Sequence, residues 1–493
     1  MSTSGQTHRA TRWNALGRGA DAAIRYGVVV VLVQQGWMSA LEWGVLEGAL
    51  IVTGFLDLFV DLGTGQAVIQ RKTLTRAFTA TIFWFNLLVG LLLGGLLLLG
   101  APTLAGLLGV PESAGVMQLL APSFLVASLG LVQRCLLARE LEFRGISTVN
   151  AVSAVAYGAL ALTLAARGMG ASALALATLA AGVVKTVGYW FLGSWRPSLS
   201  FERASLTEIY RFSSRLMAAN LTGYLLQRVD RILAARFLGP EALGLLAVAR
   251  RIVVQPARTL PNAVVGTLIP SLAQVKDDLS RLRERYERAV AGLAFLLAPV
   301  LVGLAATADL WMRSGQQALQ EGASTLIWCL FPYAACQVVL ALSGPVFVAT
   351  GRTDLMLRTG LLLGLWLLVV ESLALWIWGG TVALALALSV GTLTGLPFAL
   401  AVPARLAGSS LPGVLAGPLR SLACASVMGG AVLALRPVVT GLGVPGLVEL
   451  GLLAGAGVLL HTLLVLVVRP SGTTDFLTLV GSRRLAARLE RGA

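Results

Sequence analysis

Charge is scarce in this chain: Asp, Glu, Lys and Arg make up only 12% of its 493 residues, histidine occurs twice and cysteine four times. A soluble globule usually carries about 25% charge, so a water-exposed surface of ordinary composition is excluded. His8 and His461 leave little room for His-based hydrolytic, acyl-transfer or metal chemistry. Cys135, Cys329, Cys336 and Cys424 all fall in apolar stretches without Cys-x-x-Cys spacing, so neither a disulfide framework nor a zinc site is indicated. There is no Gly-x-x-x-x-Gly-Lys-Ser/Thr loop and no connection long enough for a nucleotide-binding domain, which excludes an ATP-driven pump on one chain. No metal, cofactor or catalytic residue is expected, and the chain is not read as an enzyme.

What is present is apolar: 57% of the residues are hydrophobic and the mean hydropathy is +0.82. One membrane-crossing helix and its connection use roughly 30 to 40 residues, because about 20 apolar residues cross the hydrocarbon core. The apolar runs give fourteen expected spans. Six lie at 21–35, 43–62, 78–100, 116–137, 147–166 and 170–192; six more at 208–234, 243–269, 289–311, 322–347, 357–378 and 381–402; the last two at 414–435 and 444–468. The net charge of +15 would suggest nucleic acid in a soluble protein, but its placement argues otherwise. With the amino terminus inside, the cytoplasmic connections and tails hold about 22 basic residues against about 4 outside, the asymmetry expected of real spans. Both termini are therefore expected in the cytoplasm.

Arg9, Arg12 and Arg18 before a short apolar run imitate a secretory leader, but an internal repeat makes that run a span. Displaced by about 200 residues, Trp43-Gly44-Val45-Leu46 aligns with Leu243-Gly244-Leu245-Leu246, and Ala67-Val68-Ile69 with Thr267-Leu268-Ile269. An even number of spans separates the copies, so they share an orientation, related by an axis along the membrane normal. The expectation is an all-α integral membrane protein with two pseudo-symmetric six-helix lobes, 21–192 and 208–402, around a central cavity. A connector, 193–207, joins the lobes; two extra helices occupy 403–469; a start, 1–20, and a tail, 470–493, are cytoplasmic.

Basic residues left inside the spans concentrate in one helical pair: Arg211, Arg215, Arg228 and Arg231, then Arg250, Arg251 and Arg258. An arginine at membrane depth costs at least about 2.5 kcal/mol, so such residues face protein or a water-filled cavity. Arg251 and Arg258, seven apart, share a face of a regular helix, and Pro256, Pro261 and Pro270 interrupt the same stretch, freeing carbonyls as in a cavity wall. The guanidinium fork suits phosphate, so Arg258, Arg251, Arg250, Arg215 and Arg228 are candidate ligands of a polyanionic group, with Asn220 and Tyr224 as sugar contacts. Snorkelling at helix ends, pairing with Asp230, and interhelical bonding are the structural readings of Arg211, Arg228, Arg231 and the polar residues. Asp57 and Asp61, four apart in the second span, are candidates for Na⁺ or proton coupling; pairing of Asp61 with Arg71 or Lys72 is the structural alternative. Lys185, Asp309, Glu371, Arg420 and Glu449 are isolated intramembrane charges. Lys276 to Arg288, with Leu279, Leu282 and Tyr286 on one stripe among arginines, reads as a helix on the anionic membrane surface.

The run Asp61-Leu62-Gly63-Thr64-Gly65-Gln66-Ala67-Val68-Ile69-Gln70-Arg71-Lys72 closely resembles the segment after the second span of bacterial polysaccharide-repeat-unit flippases. These form the Wzx-type branch of the multidrug/oligosaccharidyl-lipid/polysaccharide (MOP) exporter superfamily, which also contains the MATE transporters. Phe237-Leu238-Gly239-Pro240-Glu241-Ala242-Leu243-Gly244, continuing through Ala249, Pro256 and Ile269-Pro270-Ser271, resembles their eighth-helix region, and Arg196-Pro197 with Phe201 their connector. The likeness covers roughly residues 20 to 400; Leu246 departs from it where an aromatic is expected. The resemblance implies a multi-pass protein of the bacterial inner membrane. Such a protein turns an undecaprenyl-diphosphate-linked oligosaccharide from the cytoplasmic to the outer leaflet by alternating access, in contact with membrane lipids and alongside glycan polymerases and glycosyltransferases. Two alternatives stand beside it. A drug or organic-cation antiporter of the same superfamily needs an acidic cavity, and an integral-membrane glycan polymerase or ligase is expected to present a sizeable outer loop with acid/base residues.

Overall fold

The computed structural model of the chain describes residues 3–61, 63–71, 73–200, 202, 221–312 and 317–468. Every regular element among them is helical. Hydrocarbon offers backbone amides no partner, so an apolar run that enters it closes its own hydrogen bonds as a helix. Ten of the described stretches are long and apolar enough to cross a bilayer, the longest being Arg76–Leu108 and the most buried Leu279–Ala306. The described residues form two compact units, Met1–Ala247 and Val248–Ala493.

In the first unit the helix Thr3–Gln35 packs on Phe143–Ala166, which packs on Gly170–Leu192, while Arg76–Leu108 packs on Pro122–Arg139. Polar side chains tie these helices through carbonyls: Ser153 Oγ donates to Ala181 O at 2.9 Å and Thr186 Oγ1 to Val126 O at 2.8 Å. Val68, Phe78, Ile82, Phe83, Leu131, Val132 and Cys135 form an apolar core. In the second unit Leu279–Ala306 packs on Leu411–Gly441 and Thr353–Ile377 on Gly380–Leu406. The indole of Trp366 donates to Gly391 O at 3.0 Å across the latter pair.

Several boundaries depart from the sequence expectation. The third span does not stop at Gly100 but runs to Leu108 with Pro102 inside it. Proline leaves the carbonyl four residues earlier without its amide donor; that carbonyl, Leu98 O, accepts instead from Gln118 Nε2 at 3.2 Å. The connection after the second span contains a helix, Thr64–Gln70. Arg139 Nη1 donates to Val68 O, Ile69 O and Arg71 O at 2.9, 3.1 and 2.6 Å, satisfying carbonyls at the end of this helix. The chain between the seventh and eighth expected spans is also helical. Gly239, at φ 85° and ψ 179°, redirects it there, a conformation essentially closed to residues with a Cβ. Finally, Arg281 to Arg288 are not a separate surface helix but the first turns of Leu279–Ala306, with Leu282 and Tyr286 fully buried against protein.

The internal repeat has a physical counterpart in the first unit. A Cβ on Gly44 would come within 1.7 Å of Pro240 O, and a Cβ on Gly244 within 1.8 Å of Ala40 O. Equivalent glycines thus cross backbone to backbone, each meeting the carbonyl four residues before the other. Such reciprocity is the signature of a local two-fold contact, and small residues permit that approach between membrane helices.

Two tests follow from the helix ends and the proline. Gln118→Leu should lower stability by about 1 kcal/mol, seen as a lower Tm in detergent, because it leaves Leu98 O without its donor; an unchanged Tm would show that water or lipid headgroup replaces it. Asp278 caps Leu279–Ala306: its Oδ1 accepts from Ser280 Oγ at 2.6 Å and from the amides of Ser280 and Arg281, both at 3.1 Å. The bond from Ser280, then that from the Arg281 amide, hold its carboxyl below the usual carboxylate range. A depressed pKa contributes stability that is present above the unfolded value and lost as pH falls through the folded value. Amide exchange at Ser280 and Arg281, corrected for its intrinsic pH dependence, should therefore accelerate at acid pH, and Asp278→Asn should abolish that dependence.

Candidate functional site

The arginines of the second unit lie on a distorted helix. Residues Arg250–Val254 form a π-helical turn, which inserts one residue relative to α-helical spacing and is frequent at functional sites. The insertion moves Arg258 by about 100° from the face expected for it, so that Arg250 and Arg258, rather than Arg251 and Arg258, come into register. Arg250 is buried at 8% exposure, with its guanidinium carbon 5.4 Å from the centre of the Tyr333 ring. Arg251 and Arg258 are half-buried. Residues 242–276 contain Arg250, Arg251, Arg258 and Lys276 and no Asp or Glu, while Glu241 precedes and Asp277 and Asp278 follow the stretch.

The other candidates belong to the first unit. Tyr224 donates its hydroxyl to Ile51 O at 2.7 Å, and Gly54 makes room for it, since a Cβ there would lie 2.6 Å from the hydroxyl. Arg228 stands over the Tyr224 ring, 4.1 Å from its centre, and its charge acts on Asp57. Tyr224, Arg228 and Asp57 thus form one group. Asp61 Oδ1 accepts from the amide of Gly65 at 2.6 Å and from Thr64 Oγ1 at 3.0 Å, so it caps the Thr64–Gln70 helix. Arg215 and Asn220, with Arg211, lie outside the described residues.

Sequence reasoning missed two features. The first is Glu47, 5% exposed, whose Oε1 is 2.8 Å from Arg231 Nη1; Arg231 lies 4.0 Å from Asp230, the partner expected from sequence. A carboxylate inside the second span was the available signal, because intramembrane charges are rare and usually paired. The second is a polar cluster inside the first unit. Arg25 Nε pairs with Asp21 at 3.1 Å and its guanidinium lies 4.3 Å from the Tyr157 ring centre. The charges of Asp21, Arg25 and Arg134 all reach Lys185, and nearby Tyr189 donates to Asn150 Oδ1 at 3.0 Å. Three cations face one carboxylate there, from helices whose sequence positions give no hint of their meeting. The isolated charges Asp309 and Glu449 are engaged locally, Asp309 with Arg436 and Glu449 with Thr440 Oγ1 at 2.8 Å.

An apolar pocket of about 310 Å³ opens in the second unit among the helices that carry Ala294, Phe331, Cys336, Leu393, Leu415 and Leu419. Its lining has almost no polar surface, so it suits hydrocarbon and no charged group. Among the described residues no cluster of His, Cys, Asp and Glu could hold a metal ion.

A chain of this architecture is a multi-pass membrane protein with the fold of the MOP exporters. The solved structure of the lipid II flippase MurJ in an inward closed conformation matches 92% of this chain and 98% of its own at 13% identity, with a TM-score of 0.73. An inward-facing MATE-family multidrug transporter matches 80% and 99% at 16% identity, with a TM-score of 0.54. The chain itself belongs to the polysaccharide biosynthesis protein family, whose model matches residues 37–314. Among its relatives, the teichuronic acid biosynthesis protein TuaB of Bacillus subtilis is 27% identical over 64% of this chain and 66% of its own. The lipopolysaccharide biosynthesis protein WzxC of Escherichia coli is 26% identical over 62% of each, and the succinoglycan biosynthesis transport protein ExoT of Rhizobium meliloti 25% identical over 66% and 68%. The chain spans just under two thirds of the length of the first two.

The Glu47–Arg231 pair yields a test. Glu47→Leu should cost about 1 to 3 kcal/mol by leaving the half-buried guanidinium with only the more distant Asp230 carboxylate, 4.0 Å away, while Glu47→Leu with Arg231→Met should recover most of it. Thermal unfolding of the two variants in detergent checks this; equal losses would mean that the pair is not coupled.

Proposed function

We propose that this protein carries an undecaprenyl-diphosphate-linked oligosaccharide, a polysaccharide repeat unit, from the inner to the outer leaflet of the bacterial inner membrane. The observation that carries the reading is the acid-free stretch holding Arg250, Arg251 and Arg258, with Arg250 buried on a π turn. Three arginines along this helix, whose carboxylate Glu241 lies in its first turn, suit a polyanion brought in from outside, and the fork of each can take two phosphate oxygens. The names of the relatives, all in glycan biosynthesis or its transport, and the flippase fold support it. The acidic cavity that an organic-cation antiporter needs is at odds with this wall.

In this reading fourteen spans form two six-helix lobes, 21–192 and 208–402, which alternate in opening a central cavity, with 403–469 appended and both termini cytoplasmic. Arg250, Arg251, Arg258 and Arg215 hold the diphosphate or acidic sugars; Arg228, Tyr224 and Asn220 contact the glycan; the polyprenyl tail stays in lipid or enters the apolar pocket of the second unit. The protein makes and breaks no covalent bond, and glycan polymerase and glycosyltransferases act beside it. Coupling to Na⁺ or a proton falls more naturally to Asp57, beside Arg228, than to Asp61, whose oxygen caps a helix.

In liposomes, movement of a fluorescent polyprenyl-diphosphate oligosaccharide should fall at least tenfold in Arg258→Ala and Arg250→Ala, given that a charge-assisted hydrogen bond contributes about 1.5 to 3 kcal/mol. Unchanged movement in both overturns the assignment. Efflux of an organic cation in place of the glycan would instead identify an antiporter.

A further inference from the structure

Where the chain leaves the helix Gly170–Leu192 it borders an open groove of about 380 Å³, lined by Leu129, Thr186, Val187, Trp190, Phe191 and Arg196. The polar atoms of the floor are turned into protein: Thr186 Oγ1 donates to Val126 O at 2.8 Å and Trp190 Nε1 to Leu129 O at 2.9 Å. What faces the groove is methyl and ring surface, ending in Phe191 at 84% exposure. The rim is cationic and fixed. Arg196 Nη1 donates to Gly193 O and Trp195 O, both at 2.8 Å, which holds the guanidinium 5.6 Å from the Trp190 ring centre. The segment carrying it is anchored in turn, by Gln133 Nε2 to Trp195 O at 2.7 Å and Trp84 Nε1 to Ser198 O at 2.9 Å.

Two observations say what covers this surface. Trp84, Trp190 and Trp195 gather around Phe83, and tryptophan concentrates at the headgroup level of a bilayer. Among the described residues, the one charged side chain lining the groove is Arg196, exposed at its mouth, so the rim favours a negative charge. We propose that the groove binds an anionic phospholipid of the surrounding bilayer, its phosphate on the Arg196 guanidinium and the start of one acyl chain along Val187, Phe191 and Leu129. The site is distinct from the arginine wall of the second unit and does not depend on what the protein transports.

The test uses the full-length chain in nanodiscs of equal phosphatidylglycerol and phosphatidylethanolamine, transferred to mild detergent, with retained lipid read by mass spectrometry; neither glycan nor transport enters it. Phosphatidylglycerol should be enriched. Arg196→Gln should reduce its retention about fivefold, the weight of one basic residue against an anionic headgroup, while Arg167→Gln leaves it unchanged. Val187→Trp, which fills the groove and keeps the charge, should lower retention as well, so the proposal stays testable if one variant misfolds. Equal retention of the two lipids, or enrichment that survives both groove substitutions, overturns it. Displacement of the phospholipid from the wild-type groove by equimolar undecaprenyl diphosphate would also overturn it and assign the groove to the transported lipid.

Discussion

Hydrocarbon offers no hydrogen-bond partner, and nearly every local feature of this protein answers that constraint. A backbone amide inside the bilayer must bond within the protein or cost several kcal/mol, so apolar runs become helices and irregular backbone retreats to their ends. Exceptions are repaired one by one. Pro102 deprives Leu98 O of its donor and Gln118 supplies another; the Thr64–Gln70 helix ends on carbonyls that Arg139 gathers. Indoles at helix crossings donate to carbonyls of neighbouring helices, as Trp190 does to Leu129 and Trp366 to Gly391.

The same constraint gives meaning to charges. Within the first unit Arg231 is neutralised by Glu47 and Arg25 by Asp21, and Arg228 is taken up by the face of Tyr224. These arrangements stabilise helix packing whatever else they do. The arginines of the Arg250–Thr259 stretch sit on a deformed helix whose carboxylate, Glu241, lies in its first turn, and a π turn with Pro256 after it loosens the backbone around them. Under the proposed function, the positive charge held there serves to take a polyanion out of water.

Helix association supplies the remaining order. Lipid tails are as apolar as the side chains, so contact between helices depends on close approach and shape. Gly44 and Gly244 show the limit of this, each leaving space for the other's backbone. Glycines also receive side chains elsewhere, as Gly417 receives Ala291 and Gly429 receives Val302 in the second unit.

Sequence alone determined the class: too little charge for water, apolar runs of spanning length, and an arginine-rich pair of helices, all set by local composition acting through the hydrophobic effect and the cost of burying charge. It also carried the repeat, because equivalent glycines such as Gly44 and Gly244 leave a trace in spacing. The helix ends around Pro102 and the short helix after Asp61 were not legible, since they depend on Gln118 and Arg139 arriving from other elements. Nor was the pairing of Arg231 with Glu47, the gathering of Arg25, Arg134 and Lys185, or the π turn that realigns Arg258 with Arg250. Electrostatic and hydrogen-bond partners are chosen by distance in space, and only the tertiary structure brings residues 184 positions apart, as Arg231 and Glu47 are, within a bond length of their choice.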